Sequence, residues 1–389
     1  MARILVIRQS YYGDLDVQRK IDALVETGDE VDVICLRKPG EKLRERRGPI
    51  RVHRVPLPHS RGGTVTYLAK YGAFLAAAGT LAALLHARRR YALVEVYSMP
   101  DVLVFAALVP KLFGAKVLLT LLETMPEFFA TKFERGMEHR GVRLVAAAEQ
   151  ASIRFADHVV TCTDEMRDVF AARGSARPIT VVLNSADESI FAPGRAPVID
   201  HPGEFTVVCH GTIEERYGLD TLVRAAVLTR VDIPELRVRI FGEGEFREEL
   251  VALVAELGAG DRVEVAEDLV PLDELVGTIE GAQAGVVAMK RDAFRELTQT
   301  NKMFEFISLG VAQAVSRLRS VDNSFDEQSF AWFEPGDPED LARALRELHA
   351  DPERRRALAA HAAEVAEPYR WPHQRVIYLN AVSSLLGAG

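Results

Sequence analysis

The chain has 389 residues, 48% of them apolar and 27% charged, which is enough for two domains with separate cores. Its formal net charge of −8 is the opposite of the clustered Lys and Arg by which nucleic-acid proteins neutralise phosphate, so no nucleic acid is expected as a partner. Cys35, Cys162 and Cys209 are odd in number, widely spaced and set in or beside apolar strand-like runs, a pattern of buried free thiols in a reducing cytoplasm rather than a disulfide framework.

The opening MARILVIRQS holds an apolar run too short for a signal-peptide core and reads as a first strand. From there short β-branched runs alternate with helical patterns. Strands are predicted at 4–7, 31–36, 51–55, 93–97, 116–121, 158–163 and 179–184, with helices at 16–26, 65–87, 101–113 and 142–156. Such alternation implies right-handed crossovers and a mostly parallel sheet. The longest apolar tract, Tyr71 to Ala87, is rich in Ala and Gly and falls short of the ~20 strongly apolar residues of a membrane span, so a core helix is expected.

After Asn184 the pattern breaks at Pro193, Gly194, Pro197, Pro202 and Gly203, which continue neither element. A first domain of 1–188 and a linker of 189–204 follow. Strands restart at 205–211, 237–242, 262–267, 284–289 and 312–316, with helices at 218–229, 245–257, 271–281 and 301–310, giving a second domain of 205–372. The segment 339–387 is helical with a break at Pro368 and Pro372. Its last helix, about 373–389, is expected to cross back and join the first domain. The fold class is thus α/β, with two tandem Rossmann-like parallel-sheet domains expected to face each other across a cleft. Ligands of such sheets bind outside the carboxyl ends of the strands.

Two strand ends carry chemistry. After 205–210 comes HGTIEERYGLD, where Gly211 and Thr212 make a tight exit and Arg216 supplies a permanent charge. Arg216 either meets an anion or pairs with Glu214 or Glu215 in a solvated loop. His210 faces either the phosphates or the end of the sheet. After 284–289 comes KRDAFRELTQTNKMFE, a polar loop with Lys290, Arg291, Glu296, Thr300, Asn301 and Lys302. The helix that follows is apolar at Met303, Phe304, Phe306, Ile307 and Leu309, yet Lys302 and Glu305 sit in its first turns. Buried charges have partners, and a lysine beside a helix N-terminus makes sense as part of an anion site.

Other patterns have simpler explanations. Asp14-Leu15-Asp16 is formally D-x-D, but its place at the start of the first helix suits an N-cap and a first-turn charge, so no metal site is assigned. FGEGEF lacks the third glycine of a dinucleotide motif and reads as a strand-to-helix turn, with Glu243 bordering the cleft. The basic runs at 42–54 and 88–90 read as solvated faces, with attraction to anionic lipid or to a phosphorylated acceptor as the sharper alternative. His139 has no evident partner.

Together HGTIEERYGLD, RIFGEGEFREEL, AMKRDAFREL through TNKMFEFISLG, VTCTDEMRDVF and VVLNSADESIF resemble glycosyltransferase family 4, retaining sugar-nucleotide transferases of GT-B fold. The resemblance implies a hexosyltransferase-like enzyme in which Glu296 holds donor-sugar hydroxyls and Glu305 the nucleotide ribose. The backbone from Thr300 to Lys302 would lie along the diphosphate, with Arg216 and Lys302 neutralising it and Gly211, Thr212 and Lys290 beside it. Glu123 is counted with Glu296, Arg216 and Lys302 as catalytic, Leu122 and Glu127 are assigned to the acceptor side, and Tyr12 and Gly13, after the first strand, would border the cleft there. The partners are then a UDP-, GDP- or dTDP-sugar and a small-molecule or lipid-linked acceptor. No cofactor and no essential metal are expected. The location would be the cytoplasm, with peripheral contact at the inner face of the membrane as an option.

Two positions depart from the family. Its usual glutamate pair is separated by seven residues, whereas eight separate Glu296 from Glu305, and Leu122 stands where a histidine is usual. The leucine motivates an alternative, a catalytically inactive sugar-nucleotide-binding partner protein.

Overall fold

The computed structural model describes residues 1–11, 15–57, 64–175, 177–193 and 203–387, with side chains of the helix beginning at Thr64 described from residue 69 onward. The expected contacts of Tyr12, Gly13 and Asp14 lie outside these residues. The chain forms two compact units, one of Met1–Leu183 with Pro372–Gly389 and one of Asn184–Trp371.

In the first unit β1 (Arg3–Ile7), α1 (Leu15–Glu26), β2 (Glu30–Leu36), β3 (Arg44–Arg47), β4 (Ile50–Val55) and α2 (Thr64–Arg89) come first. They are followed by β5 (Leu93–Tyr97), α3 (Leu108–Leu112), β6 (Lys116–Leu121), α4 (Met125–Lys132), α5 (Arg140–Phe155), β7 (His158–Thr161), α6 (Asp164–Ala172) and β8 (Ile179–Val181). A 3-10 helix, Asp101–Ala107, precedes α3. The strands form one sheet in the order β3-β4-β2-β1-β5-β6-β7-β8, parallel except where β3 pairs antiparallel with β4. Strand order therefore reverses between β1 and β5, where a parallel sheet opens a crevice at its carboxyl edge.

Ile4, Val6, Val33 and Leu118 are fully buried in the core of this sheet. Helix α2 lays one face on the core, with Phe74, Ala78 and Ala82 buried, while Leu84 on another face is 53% exposed. Among the described residues no helix is long and apolar enough to cross a membrane. Many of the basic side chains in the hairpin β3–β4 and the end of α2 are committed to carboxylates. Arg54 is buried between Glu41 and Glu45, and Arg89 pairs with Glu30 and Asp32. Asp16 pairs with Lys20 and Arg19 in the first turn of α1; burial opposes its ionisation, but the two cations hold it down at about 2.

The second unit contains β9 (Phe205–His210), α7 (Leu219–Leu228), β10 (Leu236–Phe241), α8 (Arg247–Glu256), β11 (Val263–Val265), α9 (Leu272–Glu280), β12 (Ala284–Val287), α10 (Asn301–Ser308), β13 (Gln313–Ser316), α11 (Arg319–Asp322), β14 (Ala331–Phe333), α12 (Pro338–Ala350) and α13 (Pro352–Val365). Its sheet is wholly parallel, ordered β11-β10-β9-β12-β13-β14, so the reversal falls between β9 and β12. Two cores cover the two faces, one built on Leu222, Ile240 and Leu345, the other on Phe306, Phe304 and Trp332.

The boundary lies at 183 rather than 188. Asn184 Nδ2 donates to the carbonyl of Gln299 at 3.0 Å, and Phe191 is buried in the second core, so 184–193 pack with the second unit. The last helix, α14 (Trp371–Gly387), belongs to the first unit. Gln374 accepts from the Leu183 amide at 2.7 Å, and the buried Tyr378 hydroxyl donates to Glu95 at 2.6 Å.

Candidate functional site

The reversal between β9 and β12 gathers the polar residues of the second unit. Strand β9 runs out through His210 into Gly211, whose φ of +107° belongs to the left-handed side of conformational space. A Cβ there would be in ordinary contact with Lys302, 3.5 Å from its Nζ, so it is the backbone turn that calls for glycine and the lysine packs directly over it. Gly242, after β10, supports the same loop from below: a Cβ on it would fall 1.8 Å from the Gly211 carbonyl oxygen. The glycines of FGEGEF therefore serve backbone packing, and the Ile213 amide donates to Glu243 O at 2.8 Å. Thr212 is exposed beside this turn.

Helix α10 starts at the same edge. Thr300 is its N-cap, with no side-chain capping bond; the Met303 amide donates to the Thr300 carbonyl at 3.2 Å, and the amides of Asn301 and Lys302 precede the first intrahelical bond. Asn301 is exposed, whereas Lys302 is buried with its ammonium 4.7 Å from the centre of the Tyr217 ring. Glu305 lies one turn on. Burial raises its carboxyl to about 7, against the pull of Lys302 and with a further push from Asp187. His210 Nε2 is 3.4 Å from Glu305, but burial and then Lys302 depress the imidazole to about 3, so the contact joins a neutral ring to a carboxyl group. The ring also packs edge-on against Phe306.

Other charges expected at the donor are engaged locally. Arg216 pairs with Glu214, the solvated-loop alternative of the sequence reading. Lys290 pairs with Asp220 at 3.0 Å and reaches Glu215 at 3.5 Å. Glu296 accepts from Arg291 at 2.7 Å and from the Arg319 amide at 2.7 Å, so it joins its loop to the start of α11. The physical reason is a 3-10 turn, Arg295–Leu297, which directs Glu296 to these partners and buries its neighbour Arg295. Sequence reading passed over Arg295 and Tyr217. The signals were an arginine between Phe294 and Leu297, and an aromatic ring in the charged run EERYG.

In the first unit, Leu122 is half-buried and packs against the core, with its amide donating to Ser98 Oγ at 3.2 Å. Glu123 is half-buried. Glu127 is buried and paired with Arg173, which also holds Glu149 at 3.0 Å, so its charge braces α4 against α5 and α6. A cavity of about 240 Å³ opens at the carboxyl ends of β1 and β2, lined by Gln9, Ser10, Tyr11 and Cys35 among others. A larger cavity of about 450 Å³ lies in the second unit at the amino ends of β12 and β13, beside Gln283 and Ala312, away from the groups just described. Among the described residues no group of three or more His, Cys, Asp or Glu is placed to hold a metal ion. His139 caps α5, accepting from the Gly141 amide.

Residues 16–185 match a family model described as "Glycosyl transferase 4-like domain", and residues 204–351 match one described as "Glycosyl transferases group 1". The D-inositol 3-phosphate glycosyltransferase of Rhodococcus jostii is 28% identical over 240 residues, covering 58% of this chain and 52% of that protein. The D-inositol 3-phosphate glycosyltransferase 1 of Catenulispora acidiphila is 30% identical over 244 residues, covering 58% and 56%. The chain thus spans about half the length of these curated relatives. Among solved structures, sucrose-phosphate synthase from Thermosynechococcus elongatus superposes over 100% of both chains with a TM-score of 0.82 at 18% identity. Anabaena HepE in complex with UDP does so with a TM-score of 0.69 at 12% identity, again over 100% of both chains.

Two parallel-sheet units and these superpositions define the GT-B fold. The chain belongs to the family 4 type of glycosyltransferases.

Proposed function

We propose that the protein is a retaining glycosyltransferase that moves a sugar from a nucleotide-diphosphate sugar to a hydroxyl-bearing acceptor in the cytoplasm. The observation that carries this reading is the start of α10 with buried Lys302 and half-buried Glu305, set against Gly211 where strand order reverses. Amide donors, a lysine and a close backbone turn suit a diphosphate, and a carboxyl one turn further suits ribose hydroxyls. The bond from the anomeric carbon to the diphosphate breaks, and the acceptor oxygen bonds to that carbon on the same face. The acceptor proton passes to a diphosphate oxygen, and Lys302 and the α10 amides stabilise the departing charge. No metal is assigned to this step.

UDP is the first nucleotide to test, because HepE was solved with UDP and a trehalose-6-phosphate structure from E. coli was solved with UDP-2-fluoro glucose. Relatives named for inositol 3-phosphate favour a phosphorylated polyol as the first acceptor class to try. The test is a panel of UDP-, GDP- and dTDP-sugars, with thermal shift and product release followed together, with and without such acceptors. Transfer with the anomeric configuration kept supports the reading. Binding without hydrolysis or transfer to any acceptor would replace it with the inactive partner protein that Leu122 motivates.

A further inference from the structure

Tyr217 stands among three cations. The Lys302 ammonium and the Arg295 guanidinium each lie 4.7 Å from its ring centre, and Arg216 lies 5.8 Å away. Arg295 is 6% exposed and Lys302 7%. Neither makes an ion pair with a carboxylate among the described residues, and Arg295 Nε is buried without a hydrogen-bond partner. Their more exposed neighbours do the opposite: Arg291 pairs with Glu296, Lys290 with Asp220 and Arg216 with Glu214. Desolvated charges are the ones that most need partners, so pairing the outer cations while leaving the buried two bare reverses the usual order. The tyrosine face attracts both cations without cancelling either charge. Held against one ring, the two also repel each other.

We infer that Arg295 and Lys302 form a two-cation receptor for the two phosphates of a nucleoside diphosphate, with Tyr217 as the positioning residue that sets the gap between them. This rests on the donor-site reading above and goes beyond it by assigning the second cation to Arg295, since the charge of Arg216 is engaged by Glu214. The guanidinium offers a planar fork to one phosphate, and the ammonium is a point charge for the other. A monophosphate has one group to offer and gains from one cation only.

The test is calorimetric titration of the intact protein with UDP, GDP and dTDP and with the matching monophosphates. Wild type should prefer the diphosphate of its base by about tenfold or more. Arg295→Met should weaken diphosphate binding by about tenfold to a hundredfold, and monophosphate binding by less than about threefold. Tyr217→Ala should also lower the diphosphate preference, although it removes no charge. The thermal midpoint separates a site from a strut: losing an unpaired buried cation should hold or raise the midpoint of Arg295→Met, whereas a structural arginine would lower it. If Arg295→Met does not fold, Arg295→Gln decides, because it removes the charge and keeps a polar side chain, and an unchanged diphosphate preference in it overturns the receptor. Lys302→Ala reports on the underlying reading. Weakened binding in Lys302→Ala with none in Arg295→Met rejects the receptor and leaves the donor site standing. Failure of wild type to bind any of the three diphosphates rejects both.

Discussion

Replacing Glu305 by Gln should stabilise the protein and weaken its grip on a sugar nucleotide in one step. Burial lifts the Glu305 carboxyl from 4.5 to about 7 in spite of Lys302. The folded chain therefore binds this proton more tightly than the unfolded chain does. The corresponding stability is fully present below the unfolded value and is lost as pH rises through 7. Above that point the folded protein holds a carboxylate that water would solvate better. A shift of this size corresponds to about 3 kcal/mol, and the 15% exposure of the side chain reduces the expectation to about 2 kcal/mol. Glutamine has no charge to desolvate. The advantage of Glu305→Gln over its parent should be near zero at pH ~4.5 and about 2 kcal/mol at pH ~8, or roughly 4–8 °C in the melting of a unit this large. At the higher pH the variant should bind nucleoside diphosphate about tenfold more weakly, because a carboxylate is the stronger acceptor for ribose hydroxyls. Scanning calorimetry at both pH values and a titration at the higher one read all three quantities. An equal advantage at the two pH values would refute the titration, and unchanged affinity would take Glu305 out of the site.

Three further outcomes are expected. Lys302→Ala should lose ~1.5 to 3 kcal/mol of donor binding, about tenfold to a hundredfold, while Arg216→Ala loses less than about threefold because Glu214 already holds its charge; titration of the two variants side by side checks the order. Turnover should survive EDTA, since the diphosphate is assigned to fixed cations and a helix N-terminus, and a complete loss restored by magnesium or manganese would contradict this. Gly242→Ala would bring a Cβ within 1.8 Å of the Gly211 carbonyl, so it should cost ~1 to 3 kcal/mol in denaturant melts and lower donor affinity by displacing the Gly211 turn.

What the sequence discloses follows from what the physics leaves on the surface of the text. Alternating apolar runs place nearly every strand of both sheets, because strands buried on both faces must be apolar. Two strands escape: β3, RERR, is an edge strand made of charges, held by its antiparallel pairing with β4 and the Glu45–Arg54 bridge, and β14, Ala331–Phe333, is an apolar run of only three residues. The first domain boundary shifts for a similar reason. Asn184 to Pro193 lack periodicity, and it is Phe191 and the Asn184 bond to Gln299 that attach them to the second core. At the site, Lys302 and Glu305 stand out as charges on an apolar helix. Arg295 and Glu296 do not, because a charged dipeptide in a loop gives no sign of which member turns inward, and the 3-10 turn that decides it is fixed by packing of Phe294 and Leu297.

The state of Glu305 also bears on why the two buried cations stay unpaired. A glutamate three residues after a lysine on one helix would ordinarily pair with it. Here burial keeps Glu305 close to half-protonated near neutral pH, so it cancels Lys302 incompletely, and the neutral His210 adds no competing charge. Had Glu305 been fully ionised and paired, an incoming diphosphate would first have to break that pair, and part of its electrostatic gain would go into doing so. On the donor-site reading, a poorly solvated carboxyl and two unpaired cations would hold unfavourable energy in the groups that a bound diphosphate relieves. The same logic explains the outer pairs: Arg216 with Glu214 and Arg291 with Glu296 cost little to form in water, and they keep the competing cations of the loop from spreading the field away from Lys302 and Arg295.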